Sequence, residues 1–96
     1  MEEGKAAARQ TGLTMLATIK DQIGNLDRIK RLVKTLGMVN CKPGFTSQPQ
    51  VINGFSELWV ELLGEENGKG ARSAVGMILP GNIATEVEAI FELYTD

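Results

Sequence analysis

The stretch GARSAVGMILPGNIATEVEAIFEL, residues 70–93, decides the fold because both of its halves alternate with a period of two. From residue 86 onwards, apolar side chains fill the odd positions and mostly polar ones the even positions. This is the pattern of a β-strand with one buried face. The odd positions are Val87, Ala89, Phe91 and Leu93.

Residues 72–79 alternate in the same way, and a Pro80-Gly81-Asn82 turn connects them to the last strand. We therefore predict two strands in this stretch, each with one face towards a core. In the first strand the inward set is predicted to be Ser73, Val75, Met77 and Leu79. The outward set is then Arg72, Ala74, Gly76 and Ile78.

Upstream of these strands the pattern predicts helices. Residues 2–23 are rich in alanine and carry apolar side chains on one broad helical face, and Gly24 supplies a stop. A second helix is predicted from Gln48-Pro49 to about Leu63, with Gly64 as its stop. Residues 28–41 fit a helical spacing slightly better than a strand, and the pattern leaves both open. Helices followed by strands indicate an α+β fold.

Size and charge exclude several classes of protein. Ninety-six residues with 43% hydrophobic and 23% charged positions suit a single small globular domain over residues 1–96. Ten basic against twelve acidic residues give a net charge of −2, which argues against a nucleic-acid or anionic-membrane partner. The sequence has no apolar run long enough for a membrane span and no signal-peptide pattern. We predict a cytoplasmic protein; the alternative location is an organelle, for a protein whose targeting peptide has been removed.

The residue inventory also limits the chemistry. Histidine is absent and Cys41 is the single cysteine, so His-based dyads, internal disulfides and four-cysteine zinc sites are excluded. We therefore predict that the chain has no metal site. Any chemistry rests on arginine, lysine, carboxylates, hydroxyls and the backbone.

Two charged residues near the strand starts suggest a site. If both strands bury their apolar faces, Arg72 and Glu86 project together from the opposite face. A guanidinium matches a substrate carboxylate, and a nearby carboxylate can orient or deprotonate a water molecule. The alternative is a solvated polar face with incidental ion pairs.

Three elements surround these residues: Ala71-Arg72-Ser73 with Val75, the Leu79-Pro80 turn, and the strand Glu86-Val87-Glu88-Ala89-Ile90. At this spacing they resemble the RidA family, also called YjgF or endoribonuclease L-PSP. Upstream, Val51-Ile52-Asn53-Gly54 resembles the family's Val-Asn element at the start of its second helix. Residues 27–40 match a segment that the family folds as a strand, so the resemblance covers nearly the whole chain.

This resemblance implies a chorismate-mutase-like α+β fold, with a mixed sheet covered on one face by two helices, assembled as a homotrimer with clefts between subunits. It implies hydrolysis of 2-imino or 2-enamino acids to 2-oxo acids and ammonia without a cofactor, with small 2-imino and 2-oxo acids as the ligands. Arg72 would bind the substrate carboxylate, Glu86 would position or activate the attacking water, and Asn53 would lie near the pocket. The alternatives are a non-catalytic module that binds small carboxylates or serves as a structural subunit, and a ribonuclease.

The chain departs from the family pattern at its start. The family begins with a β-segment that carries a tyrosine and a Ser-Gly-Gln stretch, which complete the pocket. This chain has no counterpart of that segment, so we expect the N-terminal strands to be missing and a sheet edge to be unpaired.

Overall fold

A computed structural model describes residues 2–95 and contains two helices and one three-stranded sheet. Helix α1 spans Glu2–Ile23, and a short 3₁₀ turn at Leu26–Arg28 leads into strand β1, Ile29–Asn40. Helix α2 spans Gln48–Gly68 and is followed by strand β2, Ala71–Met77. A second 3₁₀ turn, Pro80–Asn82, precedes strand β3, Thr85–Leu93. The predicted α+β class is confirmed, and nearly all of the segment 28–41, whose pattern fits a helix or a strand, forms strand β1.

The sheet is mixed and has β1 at its centre. Its order is β2-β1-β3, with β1 parallel to β2 and antiparallel to β3. The parallel pairing follows from the crossover through α2, since parallel neighbours need a long connection. Thr35 aligns with Arg72 on one side and with Ala89 on the other, which fixes the rows of the sheet.

Both helices cover the same face of the sheet. Ile52, Phe55 and Trp59 of α2 are fully buried between the sheet and α1. The ring centroids of Trp59 and of Phe91 on β3 lie 4.8 Å apart, a distance at which tilted aromatic pairs attract each other. The odd positions of β3 contact this core, as their spacing predicts.

Helix α2 does not stop where its sequence predicts. Gly64 takes a positive φ of 87°, which breaks the helix there, but a further helical turn continues to Gly68. Glycine adopts a positive φ without the steric cost that a Cβ atom imposes on other residues. The predicted stop is therefore a kink, and the predicted loop after it is partly helical.

The two faces of β2 are the reverse of the prediction. Ala74 packs towards the core, while Val75 and Met77 are 38% and 40% exposed on the face away from the helices. Small residues are needed on the inner face because a Cβ atom at Gly76 would lie 2.6 Å from Sγ of Cys41. The helix-side space at β2 is thus already filled, and the larger apolar side chains point outward.

One ion pair joins the start of β1 to the end of β3. Nε of Arg31 lies 2.6 Å from Oε1 of Glu92 and donates a hydrogen bond to it, and Nζ of Lys30 lies 4.0 Å from the other carboxylate oxygen. The hydrogen bond from Arg31, with the charge of Lys30, lowers the pKa of Glu92 below its ordinary value of 4.5.

This lowered pKa predicts how a Glu92→Gln variant responds to pH. A carboxyl with a lowered pKa stabilises the fold above its unfolded pKa, and that contribution is lost as the pH falls through the folded pKa. We expect Glu92→Gln to melt below the parent at pH 7, with the gap closing well below pH 4.5. Thermal denaturation across this range measures the gap, with Glu88→Gln as the matched control. A gap of equal size at pH 7 and pH 3 would contradict the assignment.

Candidate functional site

Arg72 lies at the second position of β2 and faces the helices, not the open side of the sheet. Its Nη1 atom donates hydrogen bonds to Oδ1 of Asn53 at 2.7 Å and to Oγ of Ser56 at 3.1 Å. Asn53 and Ser56 are three residues apart on α2, so their side chains project from the same side of the helix. The predicted site residues Arg72 and Asn53 are therefore in direct contact.

Close backbone packing at Gly70 and Gly54 determines the position of the strand and the helix on either side of Arg72. A Cβ atom at Gly70 would lie 2.3 Å from the carbonyl oxygen of Leu32, so β2 enters the sheet tightly against β1. On the other side, a Cβ atom at Gly54 would lie 2.0 Å from the carbonyl oxygen of Lys5, so α2 is pressed against α1. The strand and the helix that meet at Arg72 are each positioned by a glycine contact.

A cavity of about 600 Å³ opens between β2, β1 and α2 beside this arginine. Thr35, which is 2% exposed, contributes to its lining together with Leu32. Arg72, Asn53 and Ser56 line it from β2 and α2. The cavity therefore combines one guanidinium, one amide and two hydroxyl groups with apolar surface, a composition suited to a small polar ligand.

Three glutamates of α2 also line the cavity, but each faces a cation. Glu57 pairs with Lys5 at 3.2 Å, and Glu61 pairs with Arg9 at 3.1 Å. Glu65 lies 3.8 Å from Lys69. These pairs leave the positive charge of Arg72 uncompensated in the part of the chain that the structure describes.

The bonding of Arg72 differs from that of two other arginines. Arg9 and Arg31 both form ion pairs with glutamates, whereas within residues 2–95 the side-chain hydrogen bonds of Arg72 go to neutral oxygens alone. Neutral acceptors hold a guanidinium in place without cancelling its charge. An arginine held in this way beside a cavity is suited to bind an anion, and its planar fork fits a carboxylate.

Glu86 does not share this cavity, and the prediction that it projects from the same face as Arg72 is wrong. It aligns with Met38 and points to the open face of the sheet, where it is exposed. The two residues lie on opposite edge strands and three rows apart, which is about 10 Å along the strands and about 10 Å across them. The error follows from the reversed faces of β2.

The sequence motifs do not predict two of the cavity residues, Ser56 and Thr35. Ser56 could have been found from its spacing to Asn53 on the second helix. Thr35 is harder to find because the register of β1 shifts between Leu32 and Lys34, which breaks the period-two pattern around it.

Residues 2–95 contain no group of three or more histidine, cysteine, aspartate or glutamate side chains placed to hold a metal ion. Neither described helix is long and apolar enough to cross a membrane.

Comparisons with known proteins place the fold but not the activity. The chain is 47% identical over 92 residues to protein TCP17 of Trypanosoma cruzi, covering 95% of this chain and 58% of that protein. It matches the crystal structure of Atu1372 from Agrobacterium tumefaciens, a protein of unknown function, with a TM-score of 0.92 and 40% identity over 98% of this chain and 60% of that one. No protein-family profile matches the chain.

A second solved structure carries a suggested activity. It is a protein of Shewanella oneidensis MR-1 proposed to be an endoribonuclease, with a TM-score of 0.87 and 30% identity over 96% of this chain and 61% of that one. The predicted α+β fold with two helices on a mixed sheet is thus shared with solved proteins. The chain spans about three fifths of the length of the proteins it matches.

Proposed function

We propose that this chain is a member of the RidA family that hydrolyses 2-imino acids to 2-oxo acids and ammonia. The observation that carries the proposal is Arg72, a cation held by neutral acceptors at the wall of a cavity. The endoribonuclease name attached to the Shewanella protein supports the same family, since the family is also known by that name. The sequence motifs around Arg72, Glu86 and Asn53 support it independently.

In the proposed reaction, Arg72 binds the carboxylate of the imino acid with parallel hydrogen bonds. Water then adds to the carbon of the protonated C=NH2⁺ bond, and a carboxylate accepts one of its protons, which gives a neutral carbinolamine. The protonated carboxyl returns this proton to the amino group, the C–N bond breaks to release ammonia, and the hydroxyl loses its proton to solvent as the C=O bond of the 2-oxo acid forms. Each step uses only water and protons, so no redox partner is required.

Glu86 can serve as that carboxylate only if it comes from another copy of the chain, because one chain holds it on the face opposite Arg72. A homotrimer with sites between subunits would meet this requirement. Exposed apolar side chains on the open face of the sheet support such an assembly, since an exposed apolar patch favours association. They are Val75, Met77 and Ile90.

The test is ammonia release from 2-iminopropanoate generated in situ, with the mass of the assembly measured by light scattering. We expect a trimer that accelerates hydrolysis, and a Glu86→Gln variant that loses most of kcat while still binding 2-oxobutanoate. Glu88→Gln is the matched control, because Glu88 lies two residues along the same strand and face. Equal activity in the Glu86 and Glu88 variants would remove Glu86 from the mechanism.

A second function is favoured by the separation of Arg72 from Glu86. A single chain contains the carboxylate-binding half of the site without the predicted base, which suits a module that binds small carboxylates without hydrolysing them. Binding of 2-oxobutanoate by a folded assembly, with no acceleration of hydrolysis, would establish this function in place of the first. Degradation of a defined RNA by the same preparation would instead favour a ribonuclease.

A further inference from the structure

The nitrogen atoms of the Arg72 guanidinium are not equally available to a ligand, because both of its side-chain hydrogen bonds use Nη1. A guanidinium carries five N–H groups, one on Nε and two on each Nη nitrogen. Nη1 already donates to two acceptors, Asn53 at 2.7 Å and Ser56 at 3.1 Å. Its two hydrogens are therefore occupied, while Nε and Nη2 have no hydrogen-bond partner among residues 2–95.

A carboxylate can bind a guanidinium in two bidentate ways, across the Nη1 and Nη2 atoms or across the Nε and Nη2 atoms. The first way needs a hydrogen of Nη1, so it would displace Asn53 or Ser56. The second way displaces neither and uses only free donors. Retaining both existing bonds is favoured because a lost hydrogen bond to a charged group costs free energy.

We propose that the ligand carboxylate of this site binds the Nε and Nη2 edge of Arg72, and that Ser56 is a positioning residue that reserves this edge by occupying Nη1. The proposal rests on the carboxylate-binding role of Arg72 in the proposed function. It extends that function to a residue that the sequence motifs do not mark.

Ser56 is suited to this role by its place on α2. It is half-buried and lies one turn after Asn53, so the two oxygens hold Nη1 from adjacent turns of a helix. Asn53 alone would leave the guanidinium plane free to rotate about one bond. The second acceptor restricts that rotation and aims the free edge. Restricting a rotatable side chain before binding reduces the entropy that the ligand must overcome.

The test compares Ser56→Ala with Ser56→Thr, which keeps a hydroxyl acceptor. For Ser56→Ala we expect the KM for 2-iminopropanoate and the Kd for 2-oxobutanoate to rise about 3- to 10-fold, with kcat within about twofold. This is the range of one ordinary hydrogen bond, since Ser56 acts on the ligand only through Arg72. Ser56→Thr should restore most of the affinity. Ser47→Ala is the matched control, because Ser47 precedes the same helix and makes no side-chain capping bond.

The ester of 2-oxobutanoate tests the ligand group, since it lacks the charged oxygens that the free edge would bind. It should bind weakly to the parent, and the Ser56→Ala substitution should leave its affinity unchanged. A merely structural role for Ser56 would lower the melting temperature and weaken acid and ester alike.

The outcomes separate this inference from the proposed function. An unchanged Kd in Ser56→Ala, or no binding of 2-oxobutanoate by the parent, would overturn the inference. Weaker binding in Ser56→Ala, in a chain that does not hydrolyse imines, would support it while the deaminase assignment fails. Hydrolysis that is insensitive to Ser56 would support the deaminase and reject the positioning role.

Discussion

Replacing Arg72 with alanine is expected to lower kcat/KM for 2-iminopropanoate by about 30-fold or more. Removing one partner of a hydrogen-bonded charge pair costs about 2–5 kcal/mol, and each 1.36 kcal/mol is a factor of ten in rate. Arg72 is exposed and its side-chain bonds go to two neutral oxygens, so the fold does not depend on its charge. We therefore expect an unchanged melting temperature together with the lost activity.

Two further variants separate charge from geometry. Arg72→Lys keeps the positive charge but not the planar fork, so it should recover only part of the lost activity. Arg28→Ala is the matched control, since Arg28 is also exposed but donates to the carbonyl oxygen of Ile23, away from the cavity. Full activity in Arg72→Ala would reject the carboxylate site, and equal losses in the two alanine variants would point to net charge instead.

The sequence predicts the secondary structure well where one periodicity dominates. Strand β3 alternates over nine residues with a clear apolar face, and the structure places Val87 and Ala89 against the core as expected. Segment 28–41 has no such dominance, because Ile29, Leu32 and Leu36 also fit a helix. Its strand state depends on pairing with both β2 and β3, which are distant in sequence and invisible to local pattern.

The site could be predicted in part. Arg72 and Asn53 belong to separate sequence motifs that each predict a site residue, and the structure joins them by a 2.7 Å hydrogen bond. The prediction that Glu86 lies on the same face as Arg72 is wrong, because it depends on the larger side chains of β2 pointing inward, and they point outward. Apolarity alone cannot orient a strand when both of its faces carry apolar residues. In β2 the orientation depends on Cys41, whose Sγ atom lies so close to Gly76 that no larger side chain fits on the inner face there.

Replacing Gly54 with alanine is expected to be the most damaging glycine-to-alanine change, because its added Cβ makes the shortest contact of any glycine among residues 2–95. The added Cβ would lie 2.0 Å from the carbonyl oxygen of Lys5 and 2.9 Å from its carbonyl carbon. Backbone atoms cannot move aside by changing rotamer, so α1 and α2 must separate. Gly54 is buried, and it lies next to the core residue Phe55 and next to Asn53, which accepts a hydrogen bond from Arg72. Separating the two helices therefore disturbs both the core and the candidate site.

The size of this effect can be bounded. Overpacking a core costs about 1–3 kcal/mol and sometimes more, and alanine returns up to about 1 kcal/mol through its higher helix propensity. Because a backbone clash is the least adjustable kind, we expect a net loss of about 3 kcal/mol. In a domain this small that corresponds to a fall in melting temperature of about 12–24 °C.

Gly4→Ala is the matched control for this prediction, because Gly4 lies on α1 at the same helix contact. Its added Cβ would lie 3.3 Å from Cγ2 of Val51, the end of a side chain that can shift by a few tenths of an ångström. We expect its melting temperature to equal or exceed that of the parent, through the gain in helix propensity. Thermal denaturation of both variants decides the point. If Gly54→Ala melted as high as Gly4→Ala, then α1 and α2 would not pack as closely as the structure describes, and the placement of Asn53 beside Arg72 would lose its support.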